Sequence, residues 1–183
     1  MKCRIETILG IALVIVGLGG SPSTYAQAPT PSRDQSVAYT LLVLTGYVGW
    51  PKPRLTATSF RIGILGADPF GGALHAFCKD QKAEGKPIEV LVIEDTEELS
   101  AASFDSMHML FIPEDYEAEW RKIAREVDTV GLLVIGEGDD GVFTDKAAFN
   151  IISGATDLQI DHRQARRARL KVSSRLASIV RRH

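Results

Sequence analysis

Cysteine is almost missing from this chain, with two in 183 residues, and that scarcity excludes a scaffold held by disulfides. Cys3 lies in a segment that reads as a removable leader, so Cys78 stands alone in what is left and no intramolecular bridge can form. An unpaired thiol flanked by Leu74 and Phe77 in an apolar helical pattern reads as a core residue, not a redox centre. Catalytic signatures are absent too. There is no Gly-x-Ser-x-Gly elbow, and the only remaining thiol is on an apolar face, so no nucleophile announces itself. The four histidines, His75, His108, His162 and His183, never fall at the short spacing of a zinc site. His108 reads as a satisfied, half-buried histidine in a strand. Glu114-Asp115 suits a helix N-terminus and Asp139-Asp140 a glycine-flanked turn, so neither acidic pair requires a catalytic role. No enzyme, cofactor, metal or nucleic-acid partner is expected. Trp50 and Trp120 read as packing residues.

Long apolar runs are also lacking. The longest, Ile8 to Leu18, falls short of the roughly 20 residues that span a bilayer. With Lys2 and Arg4 before it and the small residues Ser21 to Ala28 after it, it has the three parts of an export signal. Cleavage after Ala26 is preferred to cleavage after Ala28, which would leave Pro29 beside the scissile bond. No Leu-x-x-Cys box marks a lipoprotein. The expectation is a signal peptide over 1–26, a proline-rich tether over 27–33 and one domain over 34–183, delivered to the periplasm without membrane insertion. The mature chain, about 150 residues, is long enough to bury one core.

Helical spacing of Val37, Leu41, Leu44 and Val48 predicts a helix from Asp34 to Val48, stopped by Trp50-Pro51-Lys52-Pro53. Phe60–Leu65, Ile88–Ile93, Met107–Ile112 and Gly131–Ile135 are short apolar runs of strand formers. Between them, Asp68-Pro69 caps a helix, Asp95–Ser100 reads as a short helical segment, and Tyr116, Ile123 and Val127 mark another helix. Glu137–Gly141 is a turn. Phe149–Ile152 and Leu158–Ile160 form a hairpin around Ser153-Gly154, and Val172, Leu176, Ile179 and Val180 a last amphipathic helix. The alternation predicts an α/β single-domain sandwich with a largely parallel sheet flanked by helices and an antiparallel pair near the end.

The net charge is only −2, yet from Asp161 onward eight arginines and lysines face that single acid. A basic end on an acidic body suits an acidic partner or a phosphate, or else a solvated helical face. Gly66-Ala67-Asp68-Pro69-Phe70-Gly71 has the glycine spacing of a phosphate loop, but Gly72-Ala73 replaces the lysine and hydroxyl that nucleotide hydrolases need. Gly66, Gly71 and Gly72 remain candidates for holding a small anion. Asn150, Gln159, Asp161, Arg166, Lys171 and Arg175 are the candidate partner-binding residues, with Arg166 expected at the rim and Arg175 buried.

Four blocks in order carry a resemblance: Tyr47-x-x-Trp50-Pro51, Phe60 through Gly71, Met107 to Pro113, and Leu170-Lys171-Val172-Ser173-Ser174-Arg175-Leu176. Over the whole mature chain the sequence resembles the YfiR/HmsC-like periplasmic proteins. The resemblance implies a regulator that represses an inner-membrane diguanylate cyclase by binding its periplasmic sensor region, so that its release raises cyclic-di-GMP and favours biofilm. It also implies an α/β sandwich. Redox control through paired cysteines does not carry over, because Cys78 is alone. Where the family has a Gly-Gly-Met-Ile-Asn-Phe-like strand, this chain has Ala147-Ala148-Phe149-Asn150-Ile151-Ile152, keeping the asparagine and losing both glycines. A binding module for a small anionic ligand is the alternative reading, and a homo-oligomer is left open.

Overall fold

The computed structural model describes residues 31–96, 99–139, 142–152, 157–179 and 181–182, with backbone only from 177 onward. Ten strands are present among them: β1 (Val48–Gly49), β2 (Phe60–Leu65), β3 (Lys82–Ala83), β4 (Lys86–Ile93), β5 (Met109–Ile112), β6 (Leu133–Gly138), β7 (Phe149–Ile152), β8 (Leu158–Ile160), β9 (Lys171–Val172) and β10 (Arg181–Arg182). Five α-helices accompany them: α1 (Arg33–Leu44), α2 (Ala73–Cys78), α3 (Glu117–Ile123), α4 (His162–Arg167) and α5 (Ser174–Ile179).

The main sheet has the order β3-β4-β2-β5-β6-β7-β8-β10. Its centre, from β4 through β7, is wholly parallel. β7 and β8 close it as an antiparallel pair, and β3 and β4 form a second one at the other end. Parallel strands are covered on both faces, which is why Met109–Ile112 and Leu133–Ile135 read as unbroken apolar runs. Alternate residues serve different cores. Ile62, Ile64, Met109, Phe111, Leu133, Ile135 and Phe149 pack beneath α1 and α2. Leu110, Ile112 and Val134 point the other way, against Trp120 of α3 and Phe104. The predicted α/β class and largely parallel sheet are therefore present.

Several boundaries differ from expectation. α1 starts on a capping box, with the Ser32 hydroxyl accepting from Gln35 N and the Gln35 side chain from Ser32 N, but it ends at Leu44. Val48 belongs instead to β1, which pairs antiparallel with β9 through Val48 and Val172. The helix after β2 begins at Ala73 rather than at Pro69, because Asp68 ties up the intervening turn. Residues 95, 96, 99 and 100 are not helical; a 3-10 turn follows at Ala101–Phe104, and 97–98 lie outside the described residues. β6 runs on through Gly138, beyond the expected strand end at Ile135 and into the segment read as a turn. The hairpin of β7 and β8 is present, its predicted turn at Ser153-Gly154 outside the described residues. The C-terminal segment holds two strands and two short helices in place of one.

Candidate functional site

In a doubly wound sheet the usual binding crevice lies at the carboxyl ends of the strands, where the strand order reverses. Here the reversal falls between β2 and β5. That point is filled by the chain itself. Gly66 adopts φ +79°, and a Cβ placed on it would lie 2.1 Å from the ring of Tyr116. The aromatic ring therefore sits directly on the bare backbone that ends β2. The glycine loop beyond it is also engaged: the Asp68 carboxylate accepts from Phe70 N and from Gly72 N, each at 2.8 Å. At Phe70 and Gly72 the loop's donors meet that carboxylate, and Gly66 N meets the Ile93 carbonyl, so an anion held by Gly66, Gly71 and Gly72 would have to displace them.

A small cleft of about 80 Å³ opens nearby, lined by Glu114, Glu117, Glu137, Asp139, Val142 and Thr144. Glu137 is engaged by the guanidinium of Arg33 at the start of α1, and Glu117 pairs with Arg121 one helical turn on, at 2.7 Å. Among the described residues no group of three or more His, Cys, Asp or Glu is arranged to hold a metal ion.

At the opposite, amino-terminal end of the strands lies a wider groove of about 500 Å³, lined by Pro51, Pro53, Arg54, Asp105, Asp128 and Arg169 among others. Arg54 donates to the carbonyls of Met107 (2.8 Å) and Phe104 (2.7 Å). Burial pushes its guanidinium pKa down, opposed by the charges of Asp105 and Asp128. Its stem fills the space left by Gly131, where a Cβ would lie 2.8 Å away at φ +75°. Sequence reasoning missed Arg54, whose signal was its place directly after Pro51-Lys52-Pro53.

His108 is not half-buried but fully enclosed. Its Nδ1 accepts from Arg61 N at 3.1 Å, its ring stacks on Phe60 at 4.6 Å, and its Nε2 makes no hydrogen bond of ordinary geometry among the described residues. Desolvation lowers its pKa against the opposing pull of the Arg54 backbone, and the charges of Arg54, Lys86 and Arg61 add to the lowering. Trp50 and Trp120 are packing residues, as expected: Trp50 donates to the His108 carbonyl at 3.0 Å and Trp120 to the Asp145 carbonyl at 2.7 Å. Cys78 is buried, with its thiol pushed up to about 11 by desolvation.

The candidate partner residues divide into two sets. Asn150 and Gln159 face one another across β7 and β8, wholly inside. Both are buried in this structure and so are not presented at its surface; alternation in a sheet covered on both faces hides either set of side chains. Asp161 is the N-cap of α4, accepting from Arg163 N (2.7 Å) and Gln164 N (3.1 Å). Arg166, Lys171 and Arg175 are exposed, so Arg175 is not the buried member of the set. They join the exposed Arg163, Arg167 and Arg169 on the surface formed by α4, the turn after it, β9 and α5.

The sequence model of the YfiR/HmsC-like proteins matches residues 34–181, from the first turn of α1 to β10. The chain belongs to the YfiR/HmsC-like family. This family is regulatory and periplasmic, and is known for control of diguanylate cyclases. No curated protein matches the chain. Among the described residues no helix is long and apolar enough to cross a membrane.

Proposed function

We propose that this YfiR/HmsC-like chain represses an inner-membrane diguanylate cyclase by binding its periplasmic sensor region, and so lowers cyclic-di-GMP and biofilm formation. The observation that carries the reading is the family match along the folded domain. Export through the 1–26 signal, with 27–33 as a tether, puts the domain in the compartment where such a sensor region lies. The gripping surface is the arginine-rich one, with Arg166, Lys171 and Arg175 at its centre and an acidic patch of the sensor as its counterpart. Exposed charges of this kind steer encounter and exclude wrong partners more than they add affinity.

Deleting the gene in its native host is expected to raise cyclic-di-GMP, and restoring it to lower the level again. Unchanged cyclic-di-GMP after deletion would overturn the proposal. The surface is tested separately by Arg166→Glu and Arg175→Glu, each expected to lose repression with the melting temperature intact. If both variants repress like wild type, the partner is gripped elsewhere.

A further inference from the structure

The cleft of about 80 Å³ beside α3 has four acids in its lining and, among the described residues, no basic one. Two of the acids are matched from outside it, Glu137 by Arg33 and Glu117 by Arg121. Beneath the cleft lies an unmatched acceptor. β6 and β7 set Gly136 opposite Asn150, and a Cβ on Gly136 would lie 2.1 Å from Thr144 Oγ1 and 3.1 Å from Asn150 Oδ1. The two oxygens therefore converge on the bare side of that glycine. Thr144 is one wall of the cleft, and Asn150 Nδ2 donates to the carbonyl of Asp139, another wall, at 3.5 Å. Asn150 is wholly enclosed, yet its Oδ1 makes no hydrogen bond among the described residues. A buried acceptor without a donor is costly, and one turned toward a cleft wall marks a place where a donor belongs.

We propose that this cleft takes the ammonium end of a small aliphatic amine, such as a linear diamine. The ammonium donates to the Asp139 carboxylate and to Thr144 Oγ1, and the Thr144 hydroxyl turns its own proton to Asn150 Oδ1. An ammonium has three donors and no acceptor, and a hydroxyl can accept from the ligand and donate inward at once. Thr144 is thus the link between the cleft and the enclosed amide. Size and charge choose the class. A volume of about 80 Å³ is the share of roughly three waters in the liquid, room for an ammonium and its first methylenes but not for a larger headgroup. A divalent metal ion is held by several converging oxygens, carboxylates foremost. Here no group of three acids is so arranged among the described residues, and Arg33 and Arg121 already offset two of the four. Val142, 58% exposed at the rim, gives the rest of the aliphatic chain an apolar surface.

This inference does not rest on the cyclase reading. Calorimetric titration of the mature chain with 1,4-diaminobutane at constant ionic strength is expected to show a single saturable site, with a matching rise in melting temperature. 1,4-Butanediol, which keeps the length and loses the charge, is expected to change neither, and so are magnesium and calcium chloride. Thr144→Val keeps the shape and removes the hydroxyl; it is expected to weaken binding about tenfold, the worth of one hydrogen bond to a charged group. Thr144→Ser is expected to bind like wild type. Asp139→Asn, at an exposed side chain, is expected to weaken binding severalfold, and it gives the same readout if the valine variant folds poorly. No saturable binding of the diamine up to about 10 mM, an equal response to the diol or to the metal ions, or full affinity in both Thr144→Val and Asp139→Asn would each overturn the proposal.

Discussion

Gly66 and Tyr116 show how one missing side chain closes a crevice. Gly66→Ala would force a methyl into the ring at a backbone angle that alanine resists, and is expected to cost about 3 kcal/mol, read as a lower denaturation midpoint. His108 and Cys78 each tie the stability of the fold to pH. The histidine's folded pKa lies below its ordinary 6.5 because burial disfavours the cation. Its contribution is present above pH 6.5 and lost as pH falls through the folded value. His108→Leu is therefore expected to flatten the acid limb of a melting-temperature profile, while lowering the plateau by about 1 to 3 kcal/mol because Arg61 N loses its acceptor. Cys78 acts at the other end. Its pKa is raised from 9.0 to about 11, so its contribution is complete below pH 9.0 and fades as pH climbs toward 11. Native protein at neutral pH should resist iodoacetamide, and unfolded protein should react; equal labelling of the two would refute the core assignment.

Asp161 shows what an element-scale test can separate. As the cap of α4 it is replaceable by serine, which also caps well, whereas alanine should cost about 1 kcal/mol. Asp161→Ser with normal melting and normal repression would assign the residue to the helix and not to the partner. The same scale shows what was legible in the sequence. β2, β5 and β6 stood out because strands packed between two helical layers are largely apolar on both faces, Arg61 and Glu137 aside. The β7–β8 hairpin stood out through its two apolar runs. β1, β3 and β9 did not, since two-residue strands exist only through their partners: Val48 continues the helical spacing of Val37, Leu41 and Leu44, and Val172 across the fold claims it. α4 was hidden because its exposed side is arginine and only Ala165 is buried within it. The burial of Asn150 and Gln159 was hidden for a related reason, as polarity marks a surface residue only where a sheet has a wet face, and β7 and β8 have none. The exposed arginines, by contrast, were visible as charge alone.

At the scale of the whole molecule, the basic surface of α4, β9 and α5 predicts salt-sensitive recognition. Binding to the isolated sensor region should weaken as ionic strength rises through the range where the screening length falls below about 10 Å, and less so for Arg166→Glu. A salt-independent affinity would argue for an apolar interface. The strand order carries a different consequence, in time instead of space. From β4 through β7 every neighbour is parallel and must be reached by a crossover; among the described residues only β3–β4 and β7–β8 are antiparallel neighbours in sequence. Long loops must close before such pairings reward the chain, which places folding toward the slow, millisecond-to-second end of single domains. A chain that emerges unfolded from an export channel would spend that interval with its most apolar segments unpaired, so its yield should track the supply of periplasmic holdase chaperones.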